Sequence, residues 1–128
     1  MEIGIFSNIA GTGNVDALVA DAQASADAGF GSYWLSQIIG QVDAMTLIGA
    51  VAQNVPNLQF GTSVVPTYPR HPMVMAEQAK TVSLLSGGRF TLGIGLSHQP
   101  VVEGMWGYSF DKPVRHAREY LAALMPLV

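Results

Sequence analysis

The side chains able to do chemistry in this chain are few and mostly neutral. Ser7 and Asn8, Ser36 and Gln37, Thr62 with Ser63 and Val64, and Gly95 with Ser97 and His98 each follow a short apolar run. No serine or threonine is paired by spacing with a base, and no two carboxylates are set up for acid–base work. Small hydroxyls, an amide and one imidazole suit the holding of a flat cofactor that brings its own reactivity. Taken singly, each is also an ordinary loop residue. His98 can donate to a cofactor carbonyl or act as an acid, or be a plain exposed histidine. His71, just before Pro72, reads as a helix cap, and His116, between Arg115 and Arg118, reads as surface. The three histidines do not share metal-ligand spacing, so no metal is expected. Gly11-Thr12-Gly13 and Gly93-Ile94-Gly95 lack the third glycine of a dinucleotide fingerprint. Gly93 and Gly95 share a strand face, which fits either close approach of a ligand or tight packing inside a barrel. Val102 to Tyr108 is apolar, aromatic and broken by glycine. It suits a pocket wall or lid, or a short helix packed over the end of the domain.

The elements that position these groups alternate. Strands are expected at Ile3–Phe6, Ser32–Leu35, Leu58–Val65 and Phe90–Ile94. Helices are expected from Val15 to Ala28 with Asn14 as N-cap, from Asp43 to about Gln53, from Pro72 to about Leu85, and from Pro113 onward with Val114, Ala117, Tyr120, Leu121 and Leu124 on one side. Gly95 to Lys112 reads as a long irregular stretch. Arg89 opens the fourth strand, at the end away from the candidate site, and is expected to be structural, pairing with a carboxylate. Four strand–helix units result, at about 1–30, 31–57, 58–87 and 88–128, in one domain. Their period of roughly thirty residues is that of a βαβ repeat with right-handed crossovers. The class is α/β with parallel strands. An open doubly wound sheet and part of a (β/α)₈ barrel both fit, and both put ligands at the C-terminal strand ends.

Composition narrows the function. Of 128 residues, 49% are hydrophobic and only 12% charged, against about 25% charged in an average domain. So little polar surface implies burial against a partner. The net charge of −3 argues against nucleic acid or an anionic membrane surface. The chain has no cysteine, which removes disulfides and thiolate metal sites. No signal-like start or spanning segment is evident, so a cytoplasmic protein is expected.

Several motifs together resemble a known family. Gly61-Thr62-Ser63-Val64-Val65, Pro69-Arg70-His71-Pro72, Glu77-Gln78-Ala79-Lys80-Thr81, the run from Ser86 to Gly95, and Val102-Glu103-Gly104-Met105 are similar to the luciferase-like monooxygenases. Within them the chain resembles the branch that uses the deazaflavin coenzyme (factor 420) rather than flavin mononucleotide (FMN). The resemblance implies a (β/α)₈ barrel of about twice this length. It also implies either hydride transfer between the cofactor and a small substrate or oxygen activation by reduced flavin. A bulge with a non-proline cis peptide, which backs the ring in that branch, would map onto Ser63–Val64. Cofactor contacts would fall to Ser36, Thr62, Ser63, Val64, Gly95 and Ser97. Gln37 stands where several relatives place a ring-contacting histidine. Leu96 stands where some place a catalytic glutamate, which leaves His98, with Gln37, as the catalytic candidates.

Strands five to eight of such a barrel have no counterpart here. Four units leave two unpaired edges and an uncovered inner face, a liability for a monomer. The expected partner is therefore a second copy, closing one barrel from two chains or docking through the helices. The alternatives are a non-catalytic self-associating half-barrel or fragment, and an open-sheet binding module with helices on both faces.

Overall fold

A computed structural model describes residues 3–7 and 13–128; Asn8 and most of the glycine turn before Asn14 lie outside them. The elements in chain order are β1 (Gly4–Ser7), α1 (Val15–Asp27), β2 (Ser32–Leu35), α2 (Ala44–Val51), β3 (Gln59–Thr62), β4 (Val65–Pro66), α3 (Pro72–Leu85), β5 (Phe90–Thr91), β6 (Ile94–Gly95), α4 (Gln99–Gly104) and α5 (Pro113–Leu124), closed by a 3₁₀ turn over Met125–Leu127. The helix starts are side-chain caps. Asn14 accepts from the Ala17 N–H and Asp43 from the Thr46 N–H, each satisfying a donor the first turn leaves free. His71 does the same for Met73, with Pro72 at the first helical position.

All strand pairs are parallel. The main sheet runs β1-β2-β3-β5, and β4 pairs with β6. Register sets Phe6 beside Trp34 and Trp34 beside Gly61, so these share one sheet face. Tyr33, Leu35 and Phe60 share the other and are buried. Tyr33 and Phe60 meet edge to face at 6.2 Å. Helices α1, α2, α3 and α5 each touch the next in turn. They therefore form one layer over the Tyr33–Leu35 face. An open sheet wound on both sides would separate consecutive helices, so the arc of a barrel is the arrangement that fits.

The opposite, concave face carries no helix among the described residues, and Phe6 stands 54% exposed there. Trp34 lies across this face, its indole N–H donating to Ser32 Oγ at 2.9 Å. A Cβ on Gly61 would fall 2.2 Å from the indole ring, so only glycine admits the ring at that position.

Several expectations are corrected by packing. The third and fourth strands are each in two pieces. Ser63 and Val64 interrupt the third, with a cis peptide between them, and Leu92 and Gly93 interrupt the fourth. At this break Thr62 Oγ1 accepts from the Gly93 N–H at 2.8 Å and donates to the Gly93 carbonyl at 2.9 Å. A Cβ on Gly93 would sit 1.9 Å from the Thr62 carbonyl oxygen, so its glycine serves strand packing. The irregular stretch contains α4, which buries Val102 beneath it.

Arg89 meets no carboxylate. It donates to the carbonyls of Ala52, Val55 and Leu58 and lies over the Phe60 ring at 5.7 Å. The Ala52 carbonyl lies at the end of α2 and the other two in the loop leading to β3, so the guanidinium ties the helix end to that loop. On α5 only Tyr120 and Leu124 of the expected apolar side are buried; Val114 is 70% exposed. His116, read as surface, is half-buried and engaged. Its ring stacks on Tyr68 at 3.9 Å, and Nε2 is 3.0 Å from Thr67 Oγ1.

Candidate functional site

Three strand ends meet at one cleft. Residues Ser36, Gln37, Ile39, Val64, Pro66, Ser97 and His98 line a hollow of about 150 Å³. Backbone bonds hold its walls. The Ser63 N–H donates to the Leu35 carbonyl at 2.7 Å, the Gln37 N–H to the Val64 carbonyl at 3.2 Å, and the Val65 N–H to the Gly93 carbonyl at 2.9 Å. The bulge between β3 and β4 is thus tied on both sides, and it turns Val64 outward, 40% exposed. The β6 end contributes Gly95, which abuts Val64: a Cβ there would come within 2.6 Å of Val64 Cγ2. Ser97 follows with a left-handed backbone, φ 66°. His98 then starts α4 with its side chain unused as a cap.

The side chains read from sequence separate into two groups. Ser36, Gln37, Val64, Ser97 and His98 line the cleft together. Ser63 is exposed beside it. Thr62 is 1% exposed, and its hydroxyl is spent on Gly93. Gln37 is occupied as well. Its Oε1 accepts from the Ala44 N–H at 2.9 Å, and its Nε2 donates to the carbonyls of Ile38 and Val42. The amide therefore fixes the loop between β2 and α2, which carries Ile39 into the cleft. At the β1 end, Ser7 donates to Asp21 at 2.9 Å, and the Tyr33 hydroxyl donates to the same carboxylate. Burial and this carboxylate push the Tyr33 phenol well above its usual range.

Two hollows adjoin the cleft, and the Val102–Tyr108 stretch, read as a pocket wall or lid or a short packed helix, lines them with Trp106 and Tyr108. One of about 300 Å³ borders the cleft at Gln37 and Pro66 and continues to Pro69, Arg70 and Trp106. The next, also about 300 Å³, begins at Pro69 and Arg70 and ends among Tyr68, Tyr108, His116 and Tyr120. Arg70 pairs with Asp43, which also caps α2. The sequence signal for this region was the aromatic and histidine content of Tyr68, His116 and Tyr120, but residues 48 and 52 positions apart show no local pattern. Among the described residues no group of acidic or histidine side chains could hold a metal ion, and no helix is long and apolar enough to cross a membrane.

The sequence pattern of the luciferase-like monooxygenases matches residues 1–128. The chain belongs to this family. Among family relatives, a protein of Mycobacterium tuberculosis named as a coenzyme F420-dependent oxidoreductase is 39% identical over 104 residues, covering 81% of this chain and 29% of that protein. The 5,10-methylenetetrahydromethanopterin reductase of Methanolobus tindarius is 28% identical over 75% of this chain and 29% of its own length. Among solved structures, a monooxygenase from Streptomyces bottropensis superposes with TM-score 0.83 at 19% identity, over 97% of this chain and 42% of that one. The oxygenating constituent of 3,6-diketocamphane monooxygenase from Pseudomonas putida, in complex with FMN, gives 0.81 at 22% identity, over 97% of this chain and 38% of that one. The chain spans 29% of the length of each of these two relatives and about two fifths of each of these two solved structures.

Proposed function

We propose that this chain supplies one wall of the cofactor site of a luciferase-like oxidoreductase, with the deazaflavin coenzyme as the preferred cofactor and FMN as the second. The observation that carries this reading is the convergence of three strand ends on an outward-turned Val64. A flat aromatic ring needs an apolar surface under its face and donors at its edge. Val64, Ile39 and Pro66 offer the first, and Ser36, Ser97 and His98 the second. At about 150 Å³ the cleft is smaller than the ~300–1,000 Å³ usual for ligand sites, so the residues fit as one wall of a site completed from the concave side. The preference for deazaflavin is supported by the 39%-identical relative.

The bound group would supply hydride transfer, or oxygen activation in the case of FMN. This chain's residues would do the holding. Val64 carries the ring face, Ser36 and Ser97 donate to ring-edge acceptors, Gln37 fixes the loop, and His98 holds a proton at the cleft mouth. The test is titration of the purified chain with coenzyme F420 and with FMN, followed by cofactor fluorescence. Binding of the deazaflavin about tenfold tighter than FMN is expected. Val64→Asp should abolish it with little change in thermal midpoint, since Val64 is already exposed. Failure of both cofactors to bind overturns the reading.

Assembly is part of the same proposal. Among the described residues, the exposed Phe6 on a sheet face without a helix, with β1 and β5 at the edges of the main sheet, favours a second copy of this chain as partner.

A further inference from the structure

Thr62 does not line the cleft, yet the shape of the cleft runs through it. Gly61 lies beside Thr91, and Val65 lies beside Ile94. Thr62, Ser63 and Val64 therefore stand opposite only Leu92 and Gly93. This is a bulge, in which one extra residue bends the strand and re-aims a side chain. Here that side chain is Val64, 40% exposed at the cleft.

An extra residue disrupts the ladder, and one hydroxyl makes the loss good. Thr62 Oγ1 accepts from the Gly93 N–H at 2.8 Å and donates to the Gly93 carbonyl at 2.9 Å. The same carbonyl accepts the Val65 N–H at 2.9 Å. Gly93 is thus clamped from both ends of the bulge, and Val64 lies between the two clamps. On the β2 side the bulge is held by main chain alone, from Ser63 to Leu35 and from Gln37 to Val64. Thr62 is the side-chain tie. The task needs a short group that gives and takes a hydrogen bond at once, which a hydroxyl does and a methyl does not. We propose that Thr62 is a positioning residue: through Gly93 it holds the Val64 side chain against Gly95 and so sets the face on which the cofactor ring rests. The ring-bearing role rests on the cofactor reading above; the placement of Val64 does not.

Two variants separate the hydroxyl from the shape. Thr62→Val keeps the shape and loses the hydroxyl, and Thr62→Ser keeps the hydroxyl. Val51→Ala, in the core on α2, is a control that lowers the thermal midpoint away from the bulge. The first readout needs no cofactor. It is the nuclear Overhauser contact between the Val64 methyls and the Gly95 α-hydrogens, which the close approach of Val64 Cγ2 to Gly95 makes strong. The contact should persist in the parent, Thr62→Ser and Val51→Ala, and weaken severalfold in Thr62→Val. The second readout is titration with coenzyme F420, expected to be about tenfold weaker in Thr62→Val and within about twofold of the parent in the other two. An unchanged Val64–Gly95 contact in Thr62→Val overturns the proposal, as do undiminished F420 affinity in that variant and an equal loss in Val51→Ala. If the parent binds no F420, the cofactor reading fails and the Overhauser contact alone decides the role of Thr62. If Thr62→Val does not fold, the parent decides: its Gly93 amide should exchange with solvent about a hundredfold more slowly than an open loop amide, and fast exchange overturns the clamp.

Discussion

At the residue scale, Arg89 ties together parts of the fold that lie far apart in sequence. Its guanidinium joins three carbonyls around the end of α2 to the start of β5 and covers the Phe60 ring. Arg89→Met keeps much of the stem but strands those carbonyls. Hydrogen bonds to a charged group contribute ~1.5–3 kcal/mol each and do not add simply. We expect a loss of about 3 kcal/mol in unfolding free energy, measured by urea denaturation, with cofactor affinity in the folded fraction unchanged. The sequence marks Arg89 as structural through its place at the strand end away from the cleft. It does not reveal the partners, because backbone carbonyls carry no residue signature. Gln37 was legible as a strand-end amide for a similar reason, while its bonds to the following loop were not.

At the element scale, α5 is fastened to the loop after β4 by His116. Burial pushes the imidazole pKa below its ordinary value, and the nearby Glu119 only partly opposes this. A lowered folded pKa means that the unfolded chain binds the proton more readily. Stability from this group is full above the ordinary histidine range, near pH 6.5. It falls as pH drops through that range toward the lower folded pKa. The thermal midpoint of the parent should therefore drop more steeply below pH 6.5 than that of His116→Gln, with the two slopes converging at pH 8. Parallel profiles would remove His116 as the source. The pattern of elements was largely readable: strand–helix alternation, the Asn14, Asp43 and His71 caps, and the Pro72 helix start all rest on local rules. The breaks at Ser63–Val64 and Leu92–Gly93 were not readable from periodicity, because they arise from contact between two strands thirty residues apart. The resemblance to the family located the first of them. The lower burial of Val114 on α5 escaped the helical period for a related reason: an apolar stripe tells which side is suited to packing, not how much of it a neighbour covers.

At the scale of the whole molecule, one helical layer covers one side of a parallel sheet, and the other side shows Phe6 and Trp34. A second copy docking there would bury Phe6 and pair the free strand edges. Size-exclusion chromatography with light scattering should give a dimer or larger species for the parent, and Phe6→Asp should shift it toward monomer about tenfold in dissociation constant. A parent that stays monomeric at all concentrations would set self-association aside.

The two indoles happen to stand at different stations. Trp34 lies on the sheet face opposite the helices, against Gly4 and Gly61, while Trp106 borders the hollow beside Arg70. Their native fluorescence is therefore a pair of separate reporters. Docking onto the sheet changes the emission of Trp34, and filling the loop groove changes that of Trp106. Replacing either one by phenylalanine leaves a single-colour optical assay in which barrel completion and ligand entry can be timed independently.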